Sequence, residues 1–342
     1  MSVHGTPKPA QNERPTLKTV SEATGLSMST VSLAMRGGSA VREETRRKVL
    51  ETAERLGYVP DRAGVRLRTG KTNVIALVLD GTAHSIEFTR HLIEGIGQTI
   101  DGTRYHLNVT PDFNRTGSVE TVQYLLQNRL ADGIILTHTA PRDPRVQLLA
   151  DAGLPFVTHG RTEFYSPHPY HDFDSQAFVE MAVERLAARG CRDVMLFSAN
   201  DHTTNHHTIV QSFTQAATRH NIRTRVAEKF DVDSSSQAQR RFGAKLAQMV
   251  DRPDGIICDN EILALALFSG LREGGIRPGL DIPVVVKQNS DILPTVFPDI
   301  DLIGEDVIEA GNELARLLLE RINDAPAENL QTLGAPHPQW DA

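Results

Sequence analysis

The segment from Thr16 to Lys71 constrains this chain more than any other. Thr16 is placed to cap a helix starting at Leu17, along which Val20 and Ala23 recur at helical spacing and are expected to face inward. Gly25 stops that helix, because glycine takes a left-handed backbone cheaply at a turn. Ser27 can cap a second helix in which Val31 and Ala34 point inward. Two short helices joined by a Gly-containing turn are the frame that sets a second helix into a DNA major groove. The same spacing also suits an ordinary helical hairpin in a core, and charge separates the two. Residues 1–71 hold 13 Lys/Arg against 7 Asp/Glu, a net of +6, while the whole chain carries −7, so the remainder carries −13. A basic head on an acidic body is the footprint of a nucleic-acid contact confined to one end.

At 342 residues the chain exceeds the usual size of one core. Its 39% hydrophobic content suits a soluble globular protein, and no run of about 18 apolar residues offers a membrane span. Residues 1–15 are polar and Pro-containing without an apolar signal core, so they are expected to form a disordered tail, and export is not expected. Cys191 and Cys258 lie far apart without metal-like spacing and are expected to be buried, reduced thiols.

From Thr72 onward, apolar runs alternate with helical patterns. Strands are expected at Val74–Leu79, Tyr105–Val109, Gly133–Leu136 and Pro155–Thr158. The rhythm restarts after Asp174, with strands at Val194–Phe197, Ala227–Phe230, Gly255–Cys258 and Val284–Val286. Helices fall between them, near 86–100, 117–129, 143–152 and 176–189. This alternation implies two doubly wound parallel-sheet subdomains whose strand C-termini face a shared cleft.

The string Thr30-Val31-Ser32, then Glu44-Thr45-Arg46, Leu56-Gly57-Tyr58-Val59-Pro60 and the Leu67 region resemble the LacI/GalR family of bacterial repressors, in order and spacing, and the body matches in pattern. The resemblance implies an all-α helix-turn-helix domain at 16–59, a hinge helix or linker at 60–71 and a periplasmic-binding-protein-like α/β core at 72–342. It places the first subdomain at about 72–169 and 292–322, and the second at about 170–291 and 323–342, with crossings near Tyr170, near Asp291 and again near the C-terminus. The partners it implies are double-stranded operator DNA, a small sugar-like effector and a second copy of the chain, in a cytoplasmic homodimer. It implies neither a cofactor nor a metal nor a membrane.

In the family, the positions matching Met28, Ser29 and Leu33 touch base edges, and the last is commonly Arg; Leu here removes a bidentate guanine donor. Met28 and Leu33 can pack on thymine methyls. Thr16, Ser29, Thr30 and Ser32 can bond phosphates, and Arg36, Arg46 and Arg62 are candidate backbone anchors. Arg42 stands where a capping residue is usual, so the third helix, about 43–56, starts without a cap. Leu67 matches the leucine that family members wedge into the minor groove, and Gly64 stands where Ala is usual, costing about 1 kcal/mol of helicity.

Cleft candidates at strand ends are Asp80, His84, Phe88, His138, His159 and Arg161 in the first subdomain. In the second they are Asp172, Asp174, Asn205, His207, Asp259, Asn260 and Asn289. Sugar sites combine planar polar groups that bond paired hydroxyls with an aromatic face. The family's effector residues do not carry over. Ile209 falls on an Arg position, Asp259-Asn260 reverses an Asn-Asp pair, and Asn289 replaces a late Asp. His202, His206 and His207 make a weak zinc candidate, and a loop is their expected setting. No Gly-x-Ser-x-Gly elbow, phosphate loop or His-Glu-x-x-His helix occurs. The rival readings, a transport solute-binding protein and a sugar-modifying enzyme, leave the basic head or the missing catalytic constellation unexplained. The tail after Asn323 contains Pro326, Pro336 and Pro338 and lacks heptads, so a dimer rather than a tetramer is expected.

Overall fold

The protein is described by a computed structural model covering residues 15–35, 41–58, 66, 69–80, 86–112, 119–164, 166–198, 202–227 and 235–340. The chain divides into two compact units, 1–72 and 73–342.

In the first unit, α1 (Leu17–Thr24), α2 (Met28–Met35) and α3 (Glu43–Leu56) enclose Val20, Val31, Ala34, Val49 and Ala53. Thr16 caps α1 reciprocally: Thr19 N donates to the Thr16 hydroxyl at 3.3 Å, and Thr16 N donates to the Thr19 hydroxyl at 3.1 Å. Gly25 ends α1 at φ 71°, and Ser27 accepts from Thr30 N at 3.2 Å at the start of α2. Ala23 is exposed, contrary to expectation. The buried partner of Val20 is Thr24, one full turn on, and its hydroxyl bonds back to the Val20 carbonyl at 2.8 Å. Arg42 makes no side-chain cap, as its residue type implied.

The second unit holds two six-stranded sheets. The first runs β11-β5-β4-β3-β1-β2, built from β1 (Val74–Asp80), β2 (His106–Asp112), β3 (Gly133–Leu136), β4 (Phe156–His159), β5 (Tyr170–Phe173) and β11 (Gln331–Gly334). The second runs β12-β10-β9-β8-β6-β7, built from β6 (Asp193–Phe197), β7 (Arg223–Val226), β8 (Gly255–Cys258), β9 (Val284–Gln288), β10 (Asp301–Gly304) and β12 (His337–Pro338). All pairings are parallel except β10 with β12. Each apolar strand feeds two cores. Ile75 and Leu77 face one side of the first sheet, and Ala76 and Val78 the other. Ile256 and Cys258 face one side of the second sheet, and Ile257 the other. Burial on both faces is why these strands read as unbroken apolar runs.

The helices that cover the sheets are α4 (Ile86–Ile100), α5 (Glu120–Gln127), α6 (Pro144–Ala152), α7 (Ser175–Ala188), α8 (Thr204–Arg219), α9 (Ser236–Ala247), α10 (Glu261–Glu273), the short α11 (Ile292–Val296) and α12 (Val307–Ile322). Two helix pairs pack backbone to backbone on glycine. A Cβ on Gly95 of α4 would stand 2.0 Å from the Ile308 carbonyl of α12, and one on Gly270 of α10 would stand 1.9 Å from the Arg240 carbonyl of α9.

The crossings between lobes differ from those expected. Tyr170–Phe173 pair with β4 and with Gln331–Gly334, so the chain leaves the first lobe after Phe173 rather than near Tyr170. Asp301–Gly304 pair with β9, so the return follows Gly304 rather than Asp291. Of the C-terminal stretch assigned to the second lobe, 331–334 belong to the first sheet and only His337–Pro338 to the second. Of the strand expected at 227–230, residues 228–230 lie outside the described residues, and a strand that was not expected lies at Arg223–Val226. It is an exposed edge held by Arg225 on Asp193, with Nε to Oδ1 at 2.8 Å, so it carries no apolar signature. Both cysteines are free and buried, and burial pushes the Cys191 thiol up to about 11.

Candidate functional site

On α2 the inward arc is Val31 and Ala34, with Met35 packed at its edge. Outward stand Met28, half exposed at 51%, then Ser29, Ser32 and Leu33. The hydroxyls of Ser29 and Thr30 each lie 2.8 Å from that of Ser27, tying the helix start together. Arg46 lies 3.7 Å from Glu43 on α3.

A cleft forms where strands of both sheets end. It encloses about 800 Å³ of empty space, its open mouth included. The first lobe contributes Phe88, His138, Thr139, His159 and Asp172; the second contributes Thr203, Asn205, Asp259, Asn260, Lys287 and Asn289, with Glu305 on the return crossing. Each lobe places these groups by the same logic. A parallel strand carries its last residue to the sheet edge, and the following loop opens into the cleft.

The floor is a buried charge cluster. The Glu305 carboxylate, 4% exposed, receives Lys287 Nζ at 2.7 Å and Asn289 Nδ2 at 3.0 Å. Its other oxygen lies 3.4 Å from His159 Nε2, within ion-pair range but without hydrogen-bond geometry. Burial alone would raise this carboxyl; the Lys287 ammonium and then His159 outweigh it and hold it well below the usual carboxylate range. Lys287 also sits 4.1 Å from the centre of the Phe173 ring. Beside the cluster, Glu261 receives the Asn289 and Ser290 amides, each at 3.0 Å, and so fixes the loop after β9.

Along one wall Asp172 accepts Arg161 Nε at 2.7 Å, while burial raises its carboxyl against that pull. Along the other, Ser198 donates to Asp259 Oδ2 at 2.5 Å and lies 3.0 Å from His206 Nδ1. A serine whose proton already goes to a carboxylate is not activated by the imidazole as a nucleophile. Phe88 stands edge-on to His159 in the cleft lining, with ring centres 5.4 Å apart. Among the described residues, no three His, Cys, Asp or Glu side chains are grouped to hold a metal ion, and no helix is long and apolar enough to cross a membrane.

Residues 16–61 match the family model of bacterial regulatory proteins of the lacI family, and 183–339 match the periplasmic binding protein-like domain, together more than half of the chain. The HTH-type transcriptional regulator RafR of Escherichia coli is 27% identical over 336 residues, covering 94% of this chain and 96% of that protein. CelR of Thermobifida fusca is 26% identical over 341 residues, covering 96% and 97%. In fold, the chain resembles the Lac repressor bound to ONPG, with a TM-score of 0.79 at 19% identity, covering 96% and 99%. The chain belongs to the LacI family.

In this LacI-family regulator the cleft gathers Phe88, His138, His159, Asp172, Asn205, Asp259, Asn260 and Asn289 of the residues expected there. Three expectations fail. His207 is exposed on the outer face of α8, because the helix turns it away from the strand ends. Arg161 does not line the cavity; its guanidinium is spent holding Asp172. Asp174 caps α7, accepting from Ala177 N at 2.9 Å. Asn260 lines the cleft while its carbonyl caps α10 through Leu263 N at 3.0 Å, leaving only its NH₂ for a ligand. Asp80 ends β1 in register with Asp112, and nothing of its side chain is described. His84, Arg36, Arg62, Gly64 and Leu67 lie outside the described residues. Residue typing missed Lys287 and Glu305. Their signal was present as a charge directly after each of two apolar runs, Val284-Val285-Val286-Lys287 and Leu302-Ile303-Gly304-Glu305.

His171, 5% exposed behind His159, lies with Nδ1 2.9 Å from the Thr332 hydroxyl. Burial, then His159, lower its pKa from 6.5 to about 4, against Glu305 and Glu313. The folded state thus binds this proton less readily than the unfolded chain. The stability it contributes is complete above pH 6.5 and is lost as pH falls from 6.5 toward 4, by up to about 3 kcal/mol. Melting curves of the regulator at pH 7.5, 6 and 5 should fall progressively, and His171→Gln should flatten that slope. Parallel slopes would show that another group controls the window.

Proposed function

We propose that this regulator is a repressor controlled by a neutral, hydroxyl-rich effector, a sugar or sugar derivative, held in the cleft. The observation that carries this reading is the convergence of carboxylates and amides from both lobes, Asp172 and Asp259 with Asn205, Asn260 and Asn289, beside the Phe88 ring. Such groups accept and donate to paired hydroxyls while a ring covers the apolar face of a sugar. Relatives support it. One solved structure of the same fold is a transcriptional regulator CelR-cellobiose complex, and a 24% identical relative in Photobacterium profundum is the transcriptional repressor PurR.

The head would position itself through phosphate contacts from Thr16, Ser29, Thr30 and Ser32, with Arg36, Arg46 and Arg62 as anchors. Leu67 would act as a minor-groove wedge, with Gly64 keeping the hinge uncoiled off DNA. Two copies joined through the 72–342 body would present two heads to a pseudo-palindrome.

A thermal-shift screen of neutral sugars, polyols and sugar acids should find a stabilising ligand among the neutral ones, since a ligand of the folded state raises its melting temperature. Asn289→Ala should then weaken that ligand about tenfold or more by titration calorimetry, because a buried hydroxyl left unpaired costs about 1–3 kcal/mol. DNA binding without effector should be unchanged. Unaltered effector affinity would move the pocket elsewhere.

A further inference from the structure

The outward face of α2 is built without any side chain that reads a base edge bidentately. Its eight residues, Met28-Ser29-Thr30-Val31-Ser32-Leu33-Ala34-Met35, include no Arg, Lys, Asn, Gln, Asp or Glu. At about 100° per residue, Met28, Ser32, Ser29 and Leu33 fall in that order on one arc of roughly 140°, with Val31 and Ala34 opposite. The three-helix core is made of Val20, Val31, Ala34, Val49 and Ala53, with Leu17, Leu26, Met35, Val41, Leu56 and Tyr58 around it. Among the described residues neither Met28 nor Leu33 packs into it. Two apolar side chains, Met28 half exposed and Leu33 partly buried but outside that core, therefore flank two hydroxyls on this arc, in a segment of net positive charge.

Guanine is read by Arg or Lys, adenine by Asn or Gln, and cytosine by Asp or Glu. None of these is available on this helix. The one base-edge group in the major groove that an apolar side chain reads is the C5 methyl of thymine. We propose that Met28 and Leu33 select thymine at two base pairs of each half-site by covering its methyl group, so that this helix reads by apolar contact. The assignment rests on α2 being the groove helix of the head. The two Cα positions are about 7.5 Å apart along the axis, or about two base-pair steps. Each thymine methyl is worth a factor of about four in affinity, the transfer of one such group out of water.

The test uses the full chain and a pool of random duplexes. Sequences retained at moderate salt should carry thymine at two positions of a repeated half-site. Replacing thymine by deoxyuridine at one of them should weaken binding about fourfold. In Met28→Ala one of the two deoxyuridine losses should vanish, and in Leu33→Ala the other. The salt dependence, set by phosphate contacts, should stay the same in both variants. Leu33→Arg should shift the preference at one base pair to guanine. Half-sites fixed by guanine in the unaltered protein, or deoxyuridine losses that persist in both alanine variants, would overturn the assignment while leaving the DNA reading intact. No enrichment of any duplex would overturn both.

Discussion

Replacing Lys287 by methionine is expected to lower the stability of the 73–342 unit by about 3–5 kcal/mol, the usual effect of stranding one partner of a buried ion pair. Glu305 would lose its 2.7 Å ammonium partner and keep only Asn289 Nδ2 and the nearby His159. With the cation gone, burial alone pushes the Glu305 carboxyl up. The penalty should therefore be larger at pH 8 than at pH 5, where the carboxyl can take a proton. A second substitution, Glu305→Gln, removes the stranded charge. The double variant should recover most of the loss, because replacing both members of a buried pair is often near neutral. Urea unfolding of the four proteins at pH 8 and pH 5 measures each term. A single-variant loss below about 1 kcal/mol would mean that water reaches the cluster and the pair is effectively a surface one.

Arg145→Met is expected to have an effect of similar size, and to damage the cleft as well. Arg145 and Asp143 are the most deeply buried pair among the described residues, with side chains 2% and 0% exposed and Nη2 2.7 Å from Oδ2. Asp143 also caps α6 and accepts the Ala140 and Arg145 amides at 3.1 and 2.9 Å. The guanidinium further donates to the Thr137 and His138 carbonyls at 3.3 and 3.0 Å. It thus holds His138 in the cleft wall at φ 55°, a left-handed conformation that non-glycine residues adopt only when their surroundings impose it. Methionine would strand the Asp143 charge, costing about 3–5 kcal/mol. It would also release the 137–140 turn, so effector affinity should fall along with the denaturation midpoint. Arg145→Lys keeps the charge without the planar fork, and should recover part of the stability but not the affinity. If affinity survives in Arg145→Met, the turn is held by its backbone alone.

Much of this protein is legible in its sequence. The capping Thr16, the stop at Gly25 and the inward Val31 and Ala34 follow from local rules, because a cap, a left-handed glycine and a helical period each act within four residues. The strands at 74–80, 133–136 and 255–258 were equally plain, since burial on both faces writes itself as an apolar run. The edge strands β7, β11 and β12 were not. One face or edge of each meets solvent, and their identity depends on a partner found far along the chain, as Gln331–Gly334 finds Tyr170–Phe173.

The same division holds within the cleft. Strand-end position alone pointed to Asp172, Asp259, Asn260 and Asn289. Tertiary structure decided what each could still do. Arg161 and Asp174 have the chemistry of ligands, yet pairing and capping consume them. His207 is one residue from His206 but, about 100° further round the helix, it is exposed while His206 reaches Ser198. Lys287 and Glu305 became a single element of the floor only because β9 and β10 lie side by side. A residue's type states which bonds it can make; only the folded neighbourhood determines which of those bonds are already taken.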